Sequence, residues 1–168
     1  MRVVSLAAAA ALGASVLLTT VAAPAGADAM GGGKHKVTGW AHLDGEQEVP
    51  GPGDRNGEGR FRYKIENGTF CYKLSVRRVA TPTAAHIHFG PRGEAGPIAV
   101  TLKTPPRNGT VSDCIRARSW QNPNNAARVL TFWELEGIKK DPFFFYVNVH
   151  NERFPAGAVR GQLMKSHR

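Results

Sequence analysis

Three histidines at two places in the chain have the residue type and spacing that a metal site requires. His86 and His88 are one residue apart in a segment typical of a β-strand, so both side chains project from one face, about 6.6 Å apart along the backbone. His150 ends a second strand-like segment. Three neutral imidazoles suit zinc or copper. The sequence predicts such a site if the two strands are neighbours; the alternative is histidines that bond only to backbone groups.

The first 27 residues are typical of a secretory signal peptide. Arg2 precedes an apolar, alanine-rich run at residues 3–23, and residues 25–27 form a small cleavage sequence, Ala-Gly-Ala. The alternative is a membrane anchor, since the run is just long enough to span a bilayer, although serine, threonine and glycine weaken it. We expect a secreted chain without a transmembrane anchor. Residues 28–36 are expected to be a flexible leader and residues 37–168 one domain.

Cys71 and Cys114 are the two cysteines of the chain. An even number in an exported protein predicts a disulfide bond, and closing a loop of about forty residues is worth roughly 4 kcal/mol on the chain-entropy model. The alternative is a metal site that combines cysteine and histidine. That alternative is less favoured because no Cys-x-x-Cys spacing is present.

The chain carries a formal net charge of +9, which favours anionic partners. No helix-turn-helix, zinc-finger or RNA-binding signature is present, so we expect no nucleic-acid partner. An anionic cell-surface polymer or an extracellular protein fits better. The alternative is that the charges only keep the domain soluble. The basic side chains of Arg60, Arg62 and Lys64 alternate with apolar residues and could bind a ligand.

Apolar alternation and turn residues predict an all-β fold. Residues 59–65 and 69–76 alternate on either side of Asn67-Gly68, a strong hairpin signal. Several further short strands and no β-α-β rhythm predict an antiparallel β-sandwich with one short helix, which we place at residues 126–139. The aromatic run at residues 143–146 is expected to lie in the core.

Four segments together resemble the CHRD domain, the module named after chordin, in its stand-alone secreted bacterial form. The segments are Leu-Asp-Gly-Glu-Gln-Glu-Val-Pro at 43–50, Ala-His-Ile-His-Phe-Gly at 85–90 followed by glycines 93 and 96, Tyr-Val-Asn-Val-His at 146–150, and the ending at 154–163. The resemblance implies an immunoglobulin-like or superoxide-dismutase-like sandwich and an extracellular location. It also implies that Arg160 is structural or supports the site, with Glu48 as the candidate partner.

Two functions follow as expectations. The first is an extracellular binding or structural module with a three-histidine site for copper or zinc and no catalytic residues. The alternative is a copper- or zinc-dependent enzyme, because the His-x-His strand is similar to the copper-binding segment of superoxide dismutases. Against the enzyme, no bridging histidine follows, and the loop at residues 91–97 is too short to hold a zinc subsite.

Overall fold

The computed structural model describes residues 36–166. The expected signal peptide and nearly all of the expected leader lie outside the described residues. Within that part of the chain, no helix is long and apolar enough to cross a membrane.

The described chain forms strands with one α-helix. The elements, in chain order, are β1 (Val37–Asp44), β2 (Glu58–Glu66), β3 (Thr69–Arg77), β4 (Pro82–Phe89), β5 (Ile98–Thr101), β6 (Thr110–Arg116), a 3₁₀ turn (Ala126–Arg128), α1 (Phe132–Lys140), a second 3₁₀ turn (Pro142–Phe144), β7 (Phe145–Asn151), β8 (Phe154–Gln162) and β9 (Met164–Lys165).

The strands form one curled antiparallel sheet in the order β5-β4-β7-β8-β1-β2-β3-β6, with β9 also beside β1. The all-β prediction with one short helix is confirmed, and the two layers are halves of a single sheet. The halves meet where β8 runs against β1. Gly161 permits this approach, because a Cβ atom there would collide with the carbonyl oxygen of His42. One hydrophobic cluster draws side chains from both halves.

The β2–β3 hairpin shows how the alternation builds the core. Phe61, Tyr63 and Ile65 are buried, whereas Arg62 between them is exposed and Lys64 is half-buried. Asn67 and Gly68 have φ angles of 49° and 70°, the positive values that a type I′ turn requires. The predicted hairpin is confirmed. The side chains on its outer face are mainly polar.

The helix begins later than the apolar spacing predicts. We placed it at residues 126–139, but Ala126–Arg128 forms only a 3₁₀ turn and α1 is Phe132–Lys140. Thr131 accepts a hydrogen bond from the backbone N–H of Glu134, whose carboxylate in turn accepts from the backbone N–H of Thr131. This capping box satisfies the first free donors of the helix and fixes its start.

The aromatic run is only half buried, so the expectation that it lies in the core is partly wrong. Phe143 and Phe144 are 51% and 41% exposed because the 3₁₀ turn at Pro142–Phe144 breaks the strand alternation. Phe145 belongs to the hydrophobic core. Tyr146 is buried on the opposite face of β7 and takes part in the site described below.

The predicted disulfide between Cys71 and Cys114 is confirmed. The two residues lie directly opposite each other on β3 and β6. Since β6 is the last strand of the sheet order, the bond attaches an edge strand to the body of the sheet.

Replacing both cysteines by serine should lower the free energy of unfolding by roughly 4 kcal/mol, because the bond closes a loop with a sequence separation of 43 and restricts the unfolded chain. Urea unfolding of Cys71→Ser/Cys114→Ser against the unreduced wild type measures the effect. Thiol labelling of the unreduced, denatured wild type should find no free cysteine; two labelled cysteines, or an unchanged midpoint in the variant, would contradict the prediction.

Candidate metal centre

Two neighbouring strands, β4 and β7, position the three histidines. They pair antiparallel, with Ala84 opposite His150, His86 opposite Asn148 and His88 opposite Tyr146. The residues that alternate with the histidines point into the core, as the complete burial of Ile87 shows. All three histidines therefore lie on the opposite face of this half of the sheet.

The structure brings His86, His88 and His150 together. Each contributes one ring nitrogen to a group in which all such atoms lie within 4.8 Å of one another. Nδ1 of His86 lies 3.0 Å from Nε2 of His150, and the rings of His86 and His88 are nearly perpendicular at a centroid distance of 5.5 Å. The arrangement is compact enough for one ion to reach all three rings after small side-chain movements.

Backbone carbonyls orient two of the three rings. Nδ1 of His88 donates to the carbonyl oxygen of Gly96 at 2.9 Å, and Nδ1 of His150 donates to that of Pro155 at 3.0 Å. Since a carbonyl oxygen only accepts, each Nδ1 carries the proton, and each Nε2 keeps its lone pair. Metal-binding histidines almost always have such an outer partner, which fixes the ring and its tautomer.

The Nε2 atom of His88 has no hydrogen-bond partner within the described chain, although it is buried. A buried polar atom without a partner is costly and requires an explanation. Nε2 of His150, by contrast, accepts a hydrogen bond from Nδ1 of His86 at 3.0 Å. It also lies 3.1 Å from the side-chain oxygen of Asn148, which cannot donate to it. The nitrogen without a partner therefore belongs to a ring that is already oriented by the carbonyl group of Gly96.

The histidines are electrostatically suited to a cation because they are neutral. The pKa of His86 is lowered to about 4, mainly by burial and in smaller part by the neighbouring His150 and His88. Burial is also the largest cause of the lowered pKa values of His88 and His150. The three imidazole rings are therefore uncharged at neutral pH, and an ion can bind without first displacing a proton from an imidazolium.

Arg160 holds the loop that orients His88. Its side chain is 1% exposed, and its guanidinium donates to the carbonyl oxygens of Glu94 at 2.8 Å and Pro91 at 2.9 Å. It also lies 3.4 Å from the centroid of the Tyr146 ring, against which His88 stacks at 4.7 Å. Arg160 thus binds the loop at residues 90–97, which includes the carbonyl group that accepts from His88.

The expected direct pair between Arg160 and Glu48 is not formed. Of the ion pairs within 4.0 Å in residues 36–166, none involves either residue, because the loop carbonyls occupy the guanidinium. Glu48 is nevertheless buried and lies against Gly157 of β8, where a Cβ atom would collide with its carboxylate. Burial raises the pKa of Glu48 to about 7, and the charge of Arg160 offsets part of that rise.

Glu48→Gln should remove a pH dependence of stability. The pKa of this carboxyl group is 4.5 ordinarily and about 7 in the fold, so the unfolded chain releases the proton first as the pH rises. The contribution of Glu48 to the free energy of unfolding therefore falls between about pH 4.5 and pH 7, by up to about 3 kcal/mol, and stays low above that window. The stability of the variant relative to the wild type should rise across the same window.

Urea unfolding at several pH values checks this difference. The three histidines contribute the opposite slope, because their lowered pKa values make stability increase with pH. Subtracting the wild-type curve from the Glu48→Gln curve removes their contribution. The exposed neighbour Glu46 provides the matched control. Parallel curves for wild type and Glu48→Gln would show that the carboxyl group has an ordinary pKa.

Sequence reasoning missed several polar residues of this face. Tyr146 accepts a hydrogen bond from the backbone N–H of Gly96, and Gln162 donates to the carbonyl oxygen of Gly90. Their signal is periodicity: Tyr146 and Asn148 precede His150 at two-residue spacing, so they share its face. His42, which lies in β1, is exposed and does not belong to the histidine group found in residues 36–166.

The three histidines lie within a segment of the chain that matches the model of a known protein family. The family model of the CHRD domain matches residues 40–163, which include the three histidines, both cysteines and Arg160. Neither a curated protein nor a solved structure matches the chain. Because the matched segment covers most of the sequence, the chain belongs to the CHRD domain family.

Proposed function

We propose that this protein is an extracellular CHRD module that binds one zinc or copper ion through His86, His88 and His150. The observation that carries the proposal is the buried, unpartnered Nε2 of His88, beside two further histidine nitrogens. A hydrogen bond between His86 and His150 explains the proximity of those two rings, but it leaves Nε2 of His88 without a partner. The disulfide supports an oxidising, extracellular location.

The donor set selects the class of metal. Three neutral imidazoles suit zinc and copper, whereas calcium and magnesium prefer oxygen ligands. Copper(II) should bind more tightly than zinc, as the general order of affinities for nitrogen ligands requires. Three protein ligands leave one position for water or a small ligand.

A binding module fits the site better than a dinuclear enzyme. The histidine group is the single cluster of three or more histidine, cysteine or acidic ligands within residues 36–166. A zinc subsite beside copper would need a second set of ligands there. We therefore assign the ion a binding or structural role and retain the enzyme as the alternative.

Equilibrium dialysis of the protein, purified without a histidine tag, tests the proposal. Dialysis against zinc, and separately against copper(II), followed by elemental analysis should give one ion per chain, and dialysis against magnesium should give none. Both bound metals should also raise the melting temperature, because an ion that binds only the folded state stabilises it. Substoichiometric zinc and copper would overturn the proposal.

A further inference from the structure

The half of the sheet that does not carry the histidines has a strongly basic outer face. Arg60 and Arg62 on β2 and Lys73 and Arg77 on β3 are all exposed. In the register of the hairpin, Arg62 lies opposite Lys73 and Arg60 lies opposite Ser75. We call the surface formed by these four cations the basic face.

The cations of the basic face form no close ion pairs with carboxylates of the described chain. None of its four cations belongs to an ion pair within 4.0 Å in residues 36–166. Glu58 lies opposite Arg77 in the register but pairs with Arg78 at 3.2 Å. Like charges on adjacent strands repel one another. Their repulsion lowers the stability of the fold, and a bound anion would reduce that repulsion.

A cavity lies on the basic face. Its volume is about 310 Å³. Its lining includes three cations, two hydroxyl groups and one carboxylate, from Arg60, Lys73, Arg77, Ser75, Thr110 and Glu58, and the carboxylate is paired with Arg78. This volume is at the lower end of the range for ligand sites, about 300–1,000 Å³. The hydroxyl groups beside the cations can donate or accept hydrogen bonds, so the lining suits a ligand that carries both anionic groups and hydroxyl groups.

An exposed indole lies next to the cations. Trp40 on β1 is 45% exposed and lies opposite Arg62. It lines a second, open groove of about 630 Å³. His42 lines both the cavity and this groove, so the two are adjacent. The apolar face of a sugar ring can pack on an indole in this position.

We propose that the basic face binds an anionic polysaccharide whose charges are sulfate or phosphate esters, with a sugar ring on Trp40. Arginine favours such groups because its planar guanidinium makes paired hydrogen bonds to their oxygens. Binders of single-stranded nucleic acid use several stacking aromatics, and Trp40 is the one aromatic on β1–β3 that is more than a third exposed. This inference does not depend on the metal site.

Binding to heparin, a sulfated polysaccharide, tests the charges. The wild type should bind, and Arg60→Ser/Arg62→Ser should weaken the affinity about tenfold or more. The matched control is Lys140→Ser/Arg153→Ser, which removes the same charge from exposed positions outside the sheet face and should change affinity less than about twofold. Equal losses in both variants, or no binding by the wild type, would overturn the proposal. Should the first variant fail to fold, Lys73→Ser/Arg77→Ser replaces it.

Trp40→Ala tests the class of ligand. It should weaken heparin several-fold but leave the affinity for inorganic polyphosphate, which has charge and no sugar, unchanged. Equal effects on both probes would exclude the sugar contact. Two further probes complete the test: a single-stranded oligonucleotide of matched charge and vesicles of phosphatidylglycerol. If either binds the wild type as tightly as heparin does, the assignment to a polysaccharide is wrong.

Discussion

Arg160→Ala should lower the free energy of unfolding by about 3–5 kcal/mol, because it removes two charge-assisted hydrogen bonds worth about 1.5–3 kcal/mol each. The guanidinium makes two charge-assisted hydrogen bonds, to the carbonyl groups of Pro91 and Glu94, and a further contact with the ring of Tyr146. Alanine leaves both carbonyl groups without their partner and leaves a cavity beside the ring. The melting temperature should fall by roughly 10–20 °C.

Two controls separate this effect from a loss of charge. Arg153 is exposed, and Arg153→Ala should change stability by less than about 0.5 kcal/mol. Arg160→Lys keeps the charge but cannot reproduce the forked geometry of the guanidinium, so it should recover only part of the loss. A shift of one or two degrees in Arg160→Ala would show that residues 90–97 are held by other contacts.

The same substitution should also weaken zinc binding where the protein remains folded. Gly96 supplies the carbonyl oxygen that orients His88, and Arg160 fixes the loop containing Gly96. Loss of an outer partner of a metal ligand typically costs about 10–100-fold in affinity. Zinc titration below the melting temperature measures the loss. Unchanged affinity would show that Arg160 is structural and does not position the site.

His88→Ala should lower the affinity for zinc by more than about 100-fold, beyond the usual cost of losing an outer partner. The variant removes the nitrogen that is buried without a partner and leaves only two of the three ligands. Competition with a chromophoric chelator measures the affinity. The circular dichroism spectrum should show that the strands persist, because the residues beside His88 on the core face are retained.

The matched control for this variant is His42→Ala. His42 is exposed and lies outside the histidine group found in residues 36–166, so its removal should leave zinc affinity unchanged. His86→Ala and His150→Ala should resemble His88→Ala. If His42→Ala loses affinity while His88→Ala retains it, the ion binds on the other half of the sheet.

The sequence predicted those parts of the site that depend on local periodicity. A two-residue spacing places His86 and His88 on one face whatever the rest of the fold does. The hairpin around Asn67-Gly68 was predictable for the same reason, since the turn type depends on two residues. The disulfide followed from the cysteine count and the expectation of export, without any geometry.

The parts that the sequence did not predict depend on contacts between distant segments. The partners of Arg160 are carbonyl groups more than sixty positions away along the chain, and no side-chain pattern reveals which carbonyl groups a loop will present. Glu48 was predicted as the partner because the first and last strands of such a sandwich often lie close together, but the two side chains form no ion pair. The start of α1 was misplaced because apolar spacing outweighed the capping box at Thr131.

The basic face also combines a feature that local sequence predicts with one that depends on contacts between strands. The alternation at residues 59–65 predicted that Arg60 and Arg62 share an exposed side, and the structure agrees. Their alignment with Lys73 and Trp40, however, depends on the register of β2 with β3 and with β1. Composition revealed an excess of positive charge, but only the pairing of strands shows that part of that charge is concentrated beside an indole.

A crystal structure of the zinc-loaded protein, with anomalous diffraction recorded on both sides of the zinc absorption edge, tests the central claim most directly. The account predicts one anomalous peak within about 2.0–2.1 Å of a ring nitrogen from each of His86, His88 and His150. The carbonyl oxygens of Gly96 and Pro155 should still accept from the Nδ1 atoms of His88 and His150. A peak elsewhere, or no peak at saturating zinc with the histidine rings placed as described here, would contradict it.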